Sequence, residues 1–118
     1  MFCLKAKHIK NMDIRIKTTK LSLSADLKEY IEKKMNMLDK YLGGVSVSNC
    51  DVEIEYALNK QTSGDVYRAE VNLSLPGTVL RVEKMEPTVN KAIDKVKDHL
   101  ILSIKKYKEK KLDKKRGK

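Results

Sequence analysis

Residues 87–112 read PTVNKAIDKVKDHLILSIKKYKEKKL, and this stretch decides how the rest of the chain can fold. Its apolar side chains recur every three or four residues, which predicts one long helix from Pro87 to about Leu112 with one face on a core. Proline suits the first turn of a helix, where its missing N–H is not needed. The predicted apolar stripe consists of Val89, Ile93, Val96, Leu100, Ile104 and Tyr107.

This terminal segment also carries most of the positive charge. Residues 84–118 contain 13 Lys and Arg against 5 Asp and Glu, whereas residues 12–83 contain 10 against 11. The whole chain of 118 residues has a formal net charge of +10. Charge gathered on one element attracts polyanions. For any single lysine a solvated helix face is the simpler interpretation, but the block as a whole favours polyanion binding.

Upstream of the basic helix, the hydrophobic pattern predicts four strands and a first helix. Strict alternation over residues 12–17 predicts a half-buried strand, and apolar side chains three to four residues apart predict a helix over residues 25–41. Alternating segments at 49–58, 66–75 and 79–84 predict three further strands. The predicted order of elements is therefore β-α-β-β-β-α.

Turn and cap signals indicate where these elements end. Ser24 is the expected N-cap of the first helix, and Gly43-Gly44 is expected to stop it. The Pro76-Gly77 pair favours a type II turn, and turns of that type splay tight hairpins. We therefore expect a connection of more than two residues between the last two strands.

The element order predicts an α+β fold with a four-stranded mixed sheet. The first helix is a crossover between two strands, so strands 1 and 2 are expected to be parallel and the other pairs antiparallel. Each strand has one apolar face, so both helices are expected on the same face of the sheet, and an anion site is expected in that helical layer. The opposite face is mixed in charge and expected to face solvent; it carries Arg15, Lys17, Glu53, Glu55, Arg68, Glu70, Arg81 and Glu83.

The sequence contains none of the common motifs of enzyme sites. Without a glycine-rich phosphate loop, HExxH, CxxC or GxSxG, we expect no catalytic residue, no cofactor, no metal and no small-molecule substrate. Asp51, Glu53 and Glu55 share a strand face, but three carboxylates without histidine are a weak metal signal. His99 is expected to be a partly exposed helix residue, and Cys50 is expected to be a small buried or edge residue.

Length and composition predict one domain in the cytoplasm. We expect an N-terminal extension at 1–11, a folded domain at 12–111 and a basic tail at 112–118. No apolar run approaches the roughly 18 residues that span a membrane. Cys3 and Cys50 are expected to be free thiols in a reducing compartment.

Several segments, taken in order, resemble the ribosome hibernation-promoting factor / ribosome-associated inhibitor family, also known as the sigma-54 modulation protein family. The resemblance covers residue 12 to about residue 111. It rests on MDIRIK at 12–17, SADLKEYIEKKMNMLDKY at 24–41, DVEIEYAL at 51–58, VYRAEVNLSLPG at 66–77, VLRVEK at 79–84, and Ala92-Ile93-Asp94 at the start of the lysine-rich helix.

The resemblance implies a ribosome-binding protein that resembles a double-stranded-RNA-binding domain with an extra first strand. Similar proteins bind the small ribosomal subunit in the channel used by mRNA and tRNA, and they stop translation in stationary phase or stress. The expected partner is 16S-type rRNA, and the chain is expected to be a short form that is monomeric when free. The lysines expected on rRNA phosphates are Lys33, Lys34, Lys40, Lys84, Lys91, Lys95, Lys105, Lys106, Lys108 and Lys110.

The sequence departs from the family pattern at two places. Thr88-Val89-Asn90 stands where the family usually has Asp-Met-Tyr, and His99 and Leu102 stand where relatives carry basic residues. These departures concern rRNA contacts and not the fold. Two other functions stay open. The composition fits a general structured-RNA-binding module equally well, and the resemblance also implies, as an alternative, a protein-interaction domain that modulates a sigma factor.

Overall fold

A computed structural model describes residues 13–59 and 64–115, with only the backbone of residues 58, 59 and 111–115 described. The expected extension at 1–11, Met12 and residues 116–118 lie outside the described residues. The helix–strand order confirms the predicted α+β class. The elements are β1 (Ile14–Thr19), α1 (Ala25–Asn36), α2 (Asp39–Leu42), β2 (Asn49–Asn59), β3 (Gly64–Leu75), β4 (Thr78–Glu86) and α3 (Val89–Lys115).

The four strands form one mixed sheet in the order β1-β2-β3-β4. β1 pairs with β2 in parallel, and the other two pairs are antiparallel, as predicted. The register aligns Ile16 with Val52, Val52 with Val71, and Val71 with Val82. Because strand side chains alternate between faces, this row marks the apolar inner face across the full width of the sheet.

The apolar stripe of α3 covers this inner face. Ile93, Val96, Leu100 and Ile104 are fully buried, and α3 packs mainly on β4 and β3. Each such side chain stabilises the fold by about 1.5 to 3 kcal/mol relative to an exposed one. The predicted stripe is confirmed, and Ala92, also fully buried, belongs to it as well. The start of the helix differs from the prediction by two residues.

Thr88 explains why α3 begins at Val89 and not at Pro87. Its side-chain Oγ1 accepts a hydrogen bond from the backbone N–H of Lys91 at 3.2 Å, which is the geometry of an N-cap. Pro87 therefore lies just outside the helix. At the other end α3 runs through Lys115, so the first residues of the expected basic tail continue the helix.

The first predicted helix is divided into α1 and α2. The N–H groups of Met37 and Leu38 bond to carbonyls three residues back, at 3.2 and 3.0 Å, which tightens the turn and ends the α-helical ladder. Leu38 and Leu42 are thereby buried in the core. Gly43, with φ of 60°, caps α2 and confirms the predicted stop.

The turn between β3 and β4 is tighter than we expected. Leu75 pairs directly with Thr78, so the connection contains only Pro76 and Gly77, and the expectation of a longer loop was wrong. Gly77 has φ of 83°, which suits the third position of a type II turn. The hydroxyl of Tyr107 in α3 donates to the Pro76 carbonyl at 2.8 Å and holds this turn against the helix.

The open face of the sheet is an ion-pair network and not a simple solvated face. The Arg68 guanidinium lies 2.9 Å from Glu55, 3.1 Å from Glu70 and 3.2 Å from Glu83. Glu70, which is only 7% exposed, also accepts a hydrogen bond from Arg81. The prediction that all the charged residues of this face lie in solvent was wrong for Arg68 and Glu70, because flanking charged side chains cover them. Burial alone raises the pKa of Glu70, but the hydrogen bonds from the two arginines outweigh it and the pKa is lowered.

Replacing Arg68 with Met should lower the free energy of unfolding at pH 7 by about 2 to 3 kcal/mol, because Glu70 then stays buried with one cation fewer. The lowered pKa of Glu70 stabilises the folded state above the carboxyl's unfolded pKa of about 4.3, and this stabilisation is lost as the pH falls below it. Urea unfolding between pH 7 and pH 3 should show wild type and variant converging as the pH falls.

The matched control is Arg15→Met on the same face. Arg15 pairs with Asp51 at 3.1 Å, and their side chains are 62% and 44% exposed. Exposed pairs contribute at most about 1 kcal/mol, so this variant should change stability far less. Equal losses in the two variants would contradict a special role for the Arg68 network.

Candidate nucleic-acid interface

Three of the predicted lysines converge on one aromatic residue in the helical layer. Around Tyr41 of α2, the Nζ of Lys40 lies 5.4 Å and that of Lys105 5.8 Å from the ring centroid. The Nζ of Lys108 donates to the Tyr41 carbonyl at 3.0 Å. We call Lys40, Tyr41, Lys105 and Lys108 the Tyr41 cluster. It joins residues more than sixty positions apart in the chain.

Packing explains why this cluster forms. The core residues Leu38 and Leu42 hold α2 against α3, so the end of α2 meets the second half of the long helix. Lys108 satisfies a carbonyl that the last turn of α2 leaves without an intrahelical partner, which is a favourable place for a cation. Gly43 leaves room for it, because a Cβ there would lie 3.1 Å from the Lys108 Nζ.

Two other predicted lysines lie on the opposite flank of α3. Lys106 and Lys110 line a groove between α3 and the β3–β4 turn, with a volume of about 560 Å³. Consecutive helical residues point about 100° apart, so Lys105 and Lys106 face different sides. The predicted lysines of α3 therefore do not form one patch. Other residues of this groove are Pro76, Gly77, Thr78, Leu80, Ser103 and Tyr107.

Two predicted lysines are already paired with carboxylates of the chain. Lys34 lies 3.3 Å from Asp94, and Lys95 lies 3.1 Å from Glu86. These carboxylates partly neutralise the charges of Lys34 and Lys95. The two lysines are therefore weaker candidates for phosphate contacts than the sequence alone indicated. Lys84 is half-buried on the inner face of β4, in register with Ala69.

Lys33 and Lys91 are the predicted lysines that are both exposed and outside the ion pairs described above. Both are exposed, and within residues 13–59 and 64–115 neither forms an ion pair. Lys33 lies on α1 and Lys91 in the first turn of α3. They add positive charge to the helical layer away from the Tyr41 cluster.

The sequence did not predict a second contact between helices, which joins α1 to α3. The Tyr30 hydroxyl of α1 donates to Asp94 of α3 at 2.7 Å, and the Lys34 Nζ lies 5.3 Å from the Tyr30 ring centroid. Burial, together with this hydrogen bond and the Asp94 charge, raises the pKa of Tyr30 to about 12. For Asp94, burial raises the pKa, but the bonds from Tyr30 and Lys34 outweigh it and lower it. Of these residues, the sequence analysis drew attention to Asp94 as part of the Ala-Ile-Asp block, and to Lys34 only as a candidate for phosphate contact.

The residues singled out for other chemistry show no sign of it. His99 is exposed, and Leu102, which was predicted together with it as a departure from the family pattern, is 58% exposed. Cys50 is fully buried, and burial, with a smaller effect of Asp51, raises the pKa of its thiol to about 12, so it is not a reactive thiolate. In the part of the chain that the structure describes, no three His, Cys, Asp or Glu side chains are grouped to hold a metal ion. Over the same residues, no helix contains an apolar stretch of the length that a membrane span requires.

Comparison with known sequences identifies the family. A sequence model described as "Sigma 54 modulation protein / S30EA ribosomal protein" matches residues 14–112, which is most of the chain. The chain belongs to this family. The S30EA family is not enzymatic, which confirms the expectation that this chain is not an enzyme.

Curated relatives include two proteins named ribosome hibernation promotion factor. The one from Deinococcus radiodurans is 27% identical over 88 residues, which cover 75% of this chain and 44% of that protein. The one from Picosynechococcus sp. is 28% identical over 104 residues, which cover 88% of this chain and 53% of that protein. The chain therefore spans about half the length of the curated relatives it matches.

Solved structures support the same fold. The crystal structure of the Thermus thermophilus Protein Y N-terminal domain matches with a TM-score of 0.64 and 27% identity, covering 81% of this chain and 99% of that one. A ribosomal subunit interface protein from Coxiella burnetii matches with a TM-score of 0.62 and 23% identity, covering 83% and 99% of the two chains. At that lower identity the likeness concerns the fold alone.

Replacing Tyr30 with Phe should lower the free energy of unfolding by about 1 to 2 kcal/mol, because the half-buried Asp94 loses a charge-assisted hydrogen bond. Chemical denaturation followed by circular dichroism measures this loss. Tyr56→Phe is the matched control: the Tyr56 hydroxyl bonds to Asp65 at 2.9 Å in an exposed setting, so its loss should cost less. A larger loss of unfolding free energy in Tyr56→Phe than in Tyr30→Phe would argue against a stabilising role for the Tyr30–Asp94 hydrogen bond between α1 and α3.

Proposed function

We propose that this chain binds the small ribosomal subunit through its helical layer, occupies the channel used by mRNA and tRNA, and keeps the ribosome translationally inactive. The observation that supports this most directly is the Tyr41 cluster, where Lys40, Lys105 and Lys108 converge on a surface of an S30EA family member. The names of the curated relatives, ribosome hibernation promotion factor, point to the same activity.

The distribution of charge favours the helical layer over the open sheet. On the open face, the charged residues of the four strands comprise 4 Lys and Arg and 5 Asp and Glu, and most of them are paired with one another. α3 alone carries 10 Lys against 4 Asp and Glu. A polyanion is therefore attracted to the helices and gains little from the opposite face.

The chemistry of binding is phosphate contact and not base reading. Lysine ammonium groups act as compact point charges on phosphate oxygens, and such contacts position a protein without reading sequence. The exposed Lys33, Lys40, Lys91, Lys105 and Lys106 are the leading candidates. Inhibition is then steric, because a folded domain that fills the channel excludes mRNA and tRNA. Residues 12–111 would be the binding unit, acting in the cytoplasm during stress or stationary phase.

Three simultaneous substitutions, Lys91→Glu, Lys105→Glu and Lys106→Glu, should remove most of the affinity for small subunits. Each phosphate contact releases counterions, so the wild-type slope of log K against log salt should be about −3 or steeper, and the variant's slope should be flatter by roughly 2 to 3. Filter binding with purified small subunits over a salt series measures both.

The matched control changes the same charge elsewhere. Arg15→Glu, Lys17→Glu and Lys20→Glu alter the open face and the turn after β1, outside the helical layer. Each of these changes removes two charge units, so both triple variants fall from +10 to +4. If the control loses as much affinity as the test variant, net charge and not the helical layer governs binding.

Sedimentation tests the ribosomal target itself. In a sucrose gradient of a ribosome preparation with added protein, the protein should co-migrate with small subunits and whole ribosomes and not with free large subunits. Translation in a reconstituted system should fall with the same concentration dependence. Equal binding to unrelated structured RNA in competition would instead favour a general RNA-binding module.

A second candidate function, modulation of a sigma factor, is favoured by the first half of the family description. It predicts binding to a protein with no steep salt dependence and no migration with ribosomes. The Lys91/Lys105/Lys106 triple variant would then leave ribosome occupancy unchanged, because there would be none to lose.

A further inference from the structure

The outer edge of β4 carries two exposed apolar side chains. β4 is the last strand of the sheet, and among residues 13–59 and 64–115 it pairs only with β3. Val79 is 55% exposed and Met85 is 61% exposed. Both lie on the open face with Arg81 and Glu83, because residues an even number of positions apart share one face of a strand. An edge strand that ends in exposed apolar side chains can pair with another strand.

The sequence of β4, TVLRVEKME, is complementary to itself when reversed. If two copies of the strand pair antiparallel about Val82, Val79 of one copy faces Met85 of the other. In the same register Arg81 faces Glu83, and the two-fold axis repeats both pairs. On the open face, the two paired β4 strands would therefore form two apolar pairs flanking two opposite-charge pairs. Such cross-strand pairs stabilise neighbouring strands.

We propose that two copies of this chain associate through their β4 edges, antiparallel and centred on Val82, to form one continuous eight-stranded sheet. This is an isologous two-fold interface, in which each contact occurs twice. It departs from the expectation of a monomeric free form. It does not depend on the proposed ribosomal function.

The charged groups of this edge remain accessible to a second copy. Arg81 and Glu83 bond within the chain to Glu70 and Arg68, yet their side chains are 69% and 45% exposed. A guanidinium has five N–H donors and a carboxylate has two oxygens, so each can take a second partner. On the inner face, Lys84 of one copy would lie opposite the aliphatic Leu80 of the other.

The basic helix opposes this association at low salt. α3 lies beside the same edge, with Lys95 3.1 Å from Glu86 of β4, so pairing brings two cationic helices together. This repulsion acts over longer distances than the contacts across the strands, and it is screened when the Debye length falls from about 10 Å at 0.1 M salt to about 3 Å at 1 M. Dimer formation should therefore strengthen as the salt concentration rises, which is the opposite of ribosome binding.

Sedimentation equilibrium of the full chain over a concentration series at 0.1 M and 0.5 M salt tests the proposal. The mass should rise from the monomer value of 13.5 kDa toward twice that value, and further at the higher salt. A constant monomer mass up to millimolar protein in both buffers would overturn the proposal.

Two charge reversals identify the register. In Arg81→Glu, two glutamates face each other at each charge pair, and in Glu83→Arg, two arginines do so. Each variant alone should dimerise at least about tenfold more weakly, because like charges directly opposite are destabilising. Mixed together, the two variants should form a heterodimer, since each charge pair is then again of opposite sign. Failure of folded variants to associate on mixing would contradict the register.

Val79→Lys tests the apolar pairs without altering the ion-pair network. It should weaken dimerisation by a similar factor, because a lysine then faces Met85 of the second copy. Circular dichroism melting checks that each variant is folded. Ser22→Lys, at an exposed position between β1 and α1 near the opposite edge of the sheet, is a matched addition of charge and should leave the dimer intact. A dimer that survives Val79→Lys uses another surface, which would also overturn the proposal.

Discussion

The burial of one sheet face under α3 is the constraint on which the rest of this structure depends. Four fully buried aliphatic side chains of the helix cover the inner face, and the strands supply their own apolar side chains in register beneath them. Within residues 13–59 and 64–115, helices cover only that face. The opposite face must therefore remain polar, and this separation determines where each kind of charge lies.

Charge follows the two faces in different ways. On the open face, arginines and carboxylates bond to one another closely enough that Arg68 and Glu70 become largely covered. On the helical layer, lysines outnumber carboxylates, and among the described residues Lys33 and Lys91 form no ion pair. The molecule is thus nearly self-neutralised on one side and cationic on the other, and a polyanion would approach from the helices. At the β4 edge, the open face of the sheet carries the apolar and charged side chains of the proposed dimer interface. The lysines of the Tyr41 cluster lie outside that interface.

Two hydrogen bonds, together with the core packing of Leu38 and Leu42, hold the shorter helices against α3. Near the start of α3, Tyr30 and Asp94 join it to α1, and near its end Lys108 holds the last turn of α2. These contacts keep the backbone positions of Lys40 and Lys105 close to each other, on either side of Tyr41. Lysine side chains are flexible, but here the helices that carry them are tied together. Thr88 also stabilises α3, because its hydroxyl caps the first turn of that helix.

The sequence by itself determined the order of elements, the parallel first pair, the buried face of each element and the basic character of the last helix. These features follow from local periodicity and composition, which do not depend on distant neighbours. Tertiary structure decided the rest. Whether Lys34 and Lys95 are neutralised depends on where Asp94 and Glu86 lie in space, and the approach of Lys40 to Lys105 depends on how α2 packs. The burial of Glu70, the break after Asn36 and the edge position of β4 likewise arise only when segments far apart in the chain are packed together.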